Sequence, residues 1–303
     1  MLTVRPDHYD EFHCIADKCR HSCCKGWEID IDDESLQRFL SADGQFGEKL
    51  KRSIETLPSA HFILGEDESC PFLRKDGLCE MIQTLGESAL CEICAEHPRF
   101  YNCYPGRLEK GLGACCEEAA RLIREGSESI RLLYENDAPS EPDTPSVIAL
   151  RDKLFSLLSD ASLSFSDRLR TAGRLFGQEF GGFDASAAAA FYGTLERMDD
   201  QWTEMLNTLE SFRVENEFYL SLDNICYERI AEYFLFRHSA DAYDAEDAAA
   251  RFVFAILSTE IICALDISGY SADSLRLYSA EIEYSDENVE LILEAVKCGK
   301  LKI

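Results

Sequence analysis

Phe12-His-Cys14-Ile-Ala-Asp-Lys-Cys19-Arg-His-Ser-Cys23-Cys24-Lys-Gly26-Trp27 packs four cysteines into eleven residues. Cys70, Cys79, Cys91, Cys94, Cys103, Cys115 and Cys116 follow, so eleven of the fourteen cysteines precede residue 117. A placement this dense and this one-sided predicts an N-terminal third built around a metal or a metal cluster. With 303 residues, 46% of them apolar, the chain is long enough for one large domain or two medium ones. A small secreted disulfide scaffold would be shorter and evenly studded with cysteine.

The first thirty residues lack a basic stretch followed by an apolar run, so no secretory signal is expected. The longest apolar-rich stretch, Phe252 to Ile267, is interrupted by Glu260 and falls short of the roughly 20 residues that span a bilayer. The chain therefore reads as soluble and cytoplasmic, where clustered cysteines are metal ligands or redox groups more often than disulfides. Thirty basic against 57 acidic residues give a net charge of −27. Without a basic patch, neither nucleic acid nor a membrane surface is an expected partner. The acidic surface supplies solubility or attracts a basic protein.

Two regions are expected: residues 1–137, cysteine-rich and irregular, and residues 146–303, helical. Asp137-Ala-Pro-Ser-Glu-Pro-Asp-Thr-Pro145 reads as the linker. In the second region, helical spacing predicts Val147–Leu158, Ser166–Phe180 stopped by Gly181-Gly182, and a long helix capped by Asp184 and running toward Leu209. Glu217–His238 and a helix from Asp244 through Leu265 follow, then two more capped by Ser271 and Ser285. The aromatics at this spacing read as core. In the first region Asp32 or Asp33 caps a helix to Leu40, Gln45–Leu57 forms another, and Glu117–Glu125 a third. Asp30 and Asp32 resemble the start of a calcium loop, but its glycine and closing glutamate are missing, so capping is the better reading. Asp76-Gly77 marks a short hairpin with Cys70 and Cys79 at its open end. The fold class is thus mainly α, with a metal-binding cysteine-rich region carrying a hairpin, followed by an all-helical region.

Thiolates bind metal when short turns bring them together. Four groups offer this: Cys14/Cys19/Cys23/Cys24, Cys70/Cys79, Cys91/Cys94 and Cys115/Cys116. The spacing fits neither a zinc ribbon nor a ferredoxin run, so zinc and an iron–sulfur cluster stay open. His13, His21 and His97 lie near cysteines and read as exposed or supporting residues.

These motifs resemble the flagellin lysine-N-methylases, within the wider class of CxxCxxCC-type cysteine-cluster proteins. The opening stretch carries the resemblance, with Cys70-Pro-Phe-Leu, Gly77-Leu78-Cys79, Cys94-x3-Pro98-Arg99 and Cys116-x-Glu118-Ala119-Ala120-Arg121. Tyr233-Phe234-x-Phe236-Arg237, Tyr278-Ser279-x-Glu281-Ile282-Glu283, Ser285 and Asn288 extend it. Two positions depart from the pattern: His97 stands where an aromatic is expected, and Glu117 where a proline is. The resemblance implies metal ligation by Cys14, Cys19, Cys23, Cys24, Cys70, Cys79, Cys94 and Cys116. It implies a 4Fe-4S cluster, or zinc as the alternative, and S-adenosylmethionine as methyl donor. It also implies a flagellin-like, lysine-bearing protein substrate. Cys91, Cys103, Cys115, Cys226, Cys263 and Cys298 fall outside the pattern and read as small buried residues. The residues alone leave two other functions open: a metal-stapled protein-interaction module, and a redox or metal-handling protein. The only glycine-rich candidate, Gly111-Leu-Gly113, lacks a third glycine.

Overall fold

Asp32 accepts a hydrogen bond from the Ser35 N–H (2.9 Å) and starts the first helix, α1 (Asp33–Leu40). The computed structural model describes residues 1–135 and 146–303, so the proline-rich stretch lies outside the described residues. By packing, the chain divides into two units. The smaller holds His13–Phe100 and Cys116–Glu118; the larger holds Met1–Phe12, Tyr101–Cys115 and Ala119–Ile303. This division runs through the cysteine-rich stretch rather than at the proline-rich one.

In the small unit α1 is followed by α2 (Gly44–Arg52), α3 (Glu80–Leu85) and α4 (Glu92–Glu96). The helix expected to reach Leu57 stops at Arg52, because Ile54–Glu55 pairs antiparallel with His61–Phe62. The core is Ile29, Ile31, Phe39, Leu50, Phe62, Phe72 and Met81, together with the buried thiols of Cys70 and Cys91. Phe62 meets Phe72 edge-on at 5.2 Å between centroids. The expected hairpin is present: Arg74 N–H bonds Leu78 O (2.9 Å), Leu73 bridges Cys79, and Gly77 takes φ +78° in the turn.

The large unit contains a four-stranded sheet that the sequence reading missed. Leu2–Pro6 runs parallel to Arg107–Leu112 and antiparallel to Leu132–Glu135, with Arg99–Tyr104 at the edge beside Arg107–Leu112. The inward positions of the Arg107–Leu112 strand include two charges, Arg107 (4% exposed) and Glu109 (0%), which break the apolar alternation that marks a strand. Arg151 compensates them: its Nη1 and Nη2 donate to Glu109 at 2.6 and 2.7 Å.

The helices of this unit begin with α5 (Glu117–Arg124), whose first residues belong to the small unit. From Ser146 every described element is helical: α6 (Ser146–Leu158), α7 (Phe165–Leu175), α8 (Ala185–Tyr192), α9 (Asp200–Ser211), α10 (Asn216–Ser221), α11 (Ile225–His238), α12 (Ala245–Leu265), α13 (Ser274–Tyr278) and α14 (Asp286–Lys297). The protein is mainly α, as expected. Three expected helices are shorter or split. The first, α7, ends five residues early because Gly177 (φ +67°) makes a left-handed cap, with Gln178 N–H bonded to Gly173 O at 2.9 Å. The helix opened by Asp184 breaks before Asp199, whose side chain accepts from Gln201 N–H and starts α9 anew. Asn224 likewise restarts the chain at α11 by accepting from Cys226 N–H. Ser271 does not start α13, which begins after Asp273; Asp244 and Ser285 cap α12 and α14 as expected.

One described helical span, Ala245–Tyr270, is long and apolar enough to cross a membrane, and 89% of its apolar window is buried within the fold. It packs against α11 and α14 as the central core helix. The aromatics Phe234, Phe236, Phe252 and Phe254 are all buried there, as core.

Candidate functional site

The Cys-Cys-x-Gly-Trp motif is a fixed turn. Gly26 takes φ +85°, where a side chain would be strained, and its N–H bonds Glu68 O (3.1 Å). Trp27 Nε1 donates to Cys23 O (2.8 Å), and Cys70 N–H donates to Cys24 O (2.8 Å). These bonds tie the opening cysteine stretch to the Cys70–Cys79 hairpin. All fourteen cysteines are free thiols.

The eight cysteines assigned as ligands fall into two gatherings. In one, the Cys23 thiol is pushed up chiefly by its hydrogen bond with Cys24 and by burial, with smaller effects from Cys14 and Cys116, and Cys19 is pushed up chiefly by burial. Cys14 and Cys23 are exposed, and Glu117 stands alongside. Cys19 Sγ lies 3.8 Å from Glu117 Oε2, which accepts from Arg20 N–H (2.9 Å) and lies 3.0 Å from His21 Nδ1. Burial alone would raise the Glu117 carboxyl, but the hydrogen bonds from Arg20 and His21 outweigh it and hold its pKa at about 2. Glu117, one of the two positions that depart from the pattern, therefore fastens residues 19–21 to the start of α5.

In the other gathering, Cys70 and Cys91 are buried in the core of the small unit, and Cys24, Cys79 and Cys94 pack against it. Cys70 and Cys79 each sense Cys24 and Cys91; Cys94 contacts Cys91 directly. Burial pushes the Cys70 thiol up to about 12, and pushes Cys79 up as well. A hydrogen bond from Cys23 brings Cys24 down to about 7, and one from Cys94 lowers Cys91. Cys91 is a small buried residue, as expected, and it contacts Cys94. Its signal was the Cys91-x2-Cys94 spacing, which a turn at the start of α4 converts into contact. His97 is half-buried, stacks on Trp27 with centroids 6.1 Å apart, and is pushed down to about 4 by desolvation, so it is neutral at pH 7.

The other cysteines outside the pattern lie apart. Cys115 belongs to the large unit and bonds Tyr284; Cys263 is buried in α12. Cys103 and Cys298 are exposed, which corrects the expectation of burial for these two.

Thiols are the right kind of donor for a thiophilic metal. Among the described residues no three His, Cys, Asp or Glu side chains converge closely enough to hold an ion as they stand. Two shallow clefts lie on the small unit, about 240 and 530 Å³ in volume, and neither is lined by cysteine.

The helical motifs meet inside the large unit. Tyr233 OH donates to Glu283 Oε2 (2.8 Å) and accepts from Arg237 Nη1 and Ala114 N–H, each at 3.0 Å. Glu283 Oε1 lies 2.6 Å from His238 Nε2. Burial alone would raise Glu283, but the Arg237 charge and the His238 bond hold it down. Glu281 accepts from Met198 and Asp199 N–H, and Asn288 Nδ2 donates to Glu281 O and Glu196 O. These bonds link α11 and α14 to the Ser279–Glu283 turn through buried polar groups.

Fold and thiols together define a mainly helical protein with a thiol-rich small unit. No family model matches the chain, and no solved structure does. Two curated relatives, the Lysine-N-methylases of Salmonella typhimurium and Salmonella choleraesuis, are each 26% identical over 229 residues, 69% of this chain and 54% of theirs. The Flagellar biosynthetic protein FliU of Salmonella muenchen is 28% identical over 139 residues, 44% of this chain and 82% of its own length. The chain is thus similar to proteins named Lysine-N-methylase and FliU. It spans about half the length of the curated Lysine-N-methylases it matches.

Proposed function

We propose that this chain methylates lysine side chains of a flagellar protein, in the cytoplasm, with S-adenosylmethionine as donor and a thiol-bound metal or iron–sulfur cluster in the small unit. The match to the two Lysine-N-methylases carries the reading. The gathering of the cysteines supports its metal component. A lysine amine is protonated at neutral pH, with a pKa of about 10.4, so it must first give up that proton to a base. Its nitrogen then bonds the methyl carbon as the carbon–sulfonium bond breaks, leaving S-adenosylhomocysteine. A bound metal would supply charge and order to the small unit, and an iron–sulfur cluster would also supply electrons.

The test incubates the whole chain, purified anaerobically, with labelled S-adenosylmethionine and flagellin. Label on lysine is expected. An intact metal content with no label on lysine refutes the reading, and flagellin retained without label identifies a binding module instead. A colourless protein carrying zinc alone, with no absorbance near 400 nm, excludes the iron–sulfur form.

A further inference from the structure

Helix α4 opens on Cys91 and carries Cys94 one turn on. Cys91 takes the extended conformation of an N-cap, φ −71° and ψ 162°, and its carbonyl accepts the Ala95 N–H at 2.9 Å. Cys94 is then the third helical residue. Positions three apart on a helical turn have Cβ atoms about 5–6 Å apart. A disulfide spans Cα atoms about 4.4–6.8 Å apart, so this turn suits one. The two thiols already meet across it, side chain to side chain. Their surroundings differ. Cys91 is 1% exposed, within the core that includes Phe39, Phe72 and Met81. Cys94 packs against that core and remains partly open to solvent. Among the described residues no three His, Cys, Asp or Glu side chains converge, so these thiols meet as a pair.

We propose that Cys91 and Cys94 form a dithiol–disulfide redox site whose oxidant is a small disulfide of the oxidised-glutathione class. This goes beyond the methylation reading and does not rest on it. The difference in exposure sets the order of events. The accessible Cys94 sulfur, as thiolate, attacks one sulfur of the small disulfide, whose S–S bond breaks and releases one thiol. Cys91, held beneath, then attacks the Cys94 sulfur of the mixed disulfide, and the second small thiol leaves. Two protein thiols are oxidised and one small disulfide is reduced to two thiols. The two protons lost by the protein end on the thiols released. Because Cys91 and Cys94 are held in contact, closing their bond is an intramolecular step, favoured over attack by a second small thiol. The disulfide also withdraws Cys94 from any metal, so oxidation of the pair and metal ligation by Cys94 exclude each other.

The experiment equilibrates the whole chain, purified anaerobically, with reduced and oxidised glutathione in graded ratios, with and without a chelator. Samples are quenched in acid and alkylated, and peptide mass mapping reads each cysteine. Two of the fourteen thiols are expected to escape alkylation together as the oxidised fraction rises, joined as Cys91–Cys94, in at least one of the two conditions. In Cys91→Ser, glutathione is expected to remain on Cys94 as a mixed disulfide. In Cys94→Ser, the buried Cys91 is expected to stay unmodified. Cys79→Ser, which alters a thiol packed on the same core, should keep the disulfide. If a serine variant does not fold, the wild-type time course decides, with glutathione appearing on Cys94 and not on Cys91 before the disulfide closes. Absence of the Cys91–Cys94 disulfide in both conditions overturns the proposal. So does a disulfide joining either residue to a third cysteine, or glutathione arriving first on Cys91. Neither methyl donor nor flagellin enters the assay, so its outcome is separate from the test of methylation.

Discussion

Glu260 lies in the middle of α12 at 0% exposure, and both of its carboxyl oxygens lack a hydrogen-bond partner. Burial alone drives its pKa well above the usual range, so the native protein holds it as a neutral acid. Replacing Glu260 with Leu removes the unpartnered polar group, which is worth about 1–3 kcal/mol. A second effect depends on pH. The unfolded chain loses the Glu260 proton above about pH 4.3 while the native state keeps it. The native state then binds the extra proton, so wild-type stability falls as pH rises from the unfolded pKa toward the raised native one. The slope is about 1.4 kcal/mol per pH unit for one group. Glu260→Leu lacks this loss, so its advantage over wild type grows by the same amount per unit. Thermal unfolding followed by circular dichroism at pH 5, 6 and 7 measures it, with a midpoint gap widening by about 3–6 °C per pH unit. Glu232, pushed up to about 8 chiefly by burial, titrates in both proteins and cancels in the comparison. Glu260→Gln removes the ionisation while keeping a polar group, and should remove the pH slope without the full gain. A gap that stays constant with pH, or a less stable Glu260→Leu, refutes the argument.

Three further outcomes are expected. Asp32→Ala removes the acceptor for both Ser35 N–H and Glu92 N–H and destabilises the small unit by about 1–2 kcal/mol in chemical unfolding. The Glu92 N–H chiefly holds the Asp32 pKa at about 2, so this contribution is present above pH 3.9 and is lost as pH falls toward 2. Gly126→Ala would place a Cβ 2.0 Å from Arg229 Cζ. Arg229 is buried and bonded to the carbonyls of Leu122, Ile123 and Glu128 at the end of α5, so a loss of about 2 kcal/mol or more is expected in thermal unfolding. Arg151→Met leaves Glu109 buried beside Arg107 alone, and should cost about 3 kcal/mol in urea unfolding; the double variant Arg151→Met/Glu109→Leu should recover part of it.

Local chemistry carried most of the helical region. Asp32, Asp184, Asp244 and Ser285 each cap a helix because their side chains bond backbone N–H groups two or three residues on, which is a short-range event. The same chemistry explains the breaks that were missed: Asp199 and Asn224 sit inside apolar patterns that continue past them, and a periodicity argument does not register a cap in mid-pattern. The sheet was hidden for a different reason. Its Arg107–Leu112 strand buries Arg107 and Glu109, and a buried charge looks like a surface residue until its partner, here Arg151, forty-two residues away from Glu109, is in place.

By itself the sequence determined a mainly helical chain, its caps, the Asp76-Gly77 turn and the concentration of thiols near the start, because these depend on neighbours along the chain. Tertiary structure decided which thiols meet. Cys23 and Cys24 are adjacent in sequence, and Cys70 N–H holds the Cys24 carbonyl against the core while Cys23 stays exposed. Cys91 is buried with Cys70, and Cys94 packs against them, because the core of the small unit closes there. Which side chains share a site depends on contacts tens of residues apart, and those exist only once the apolar core has formed.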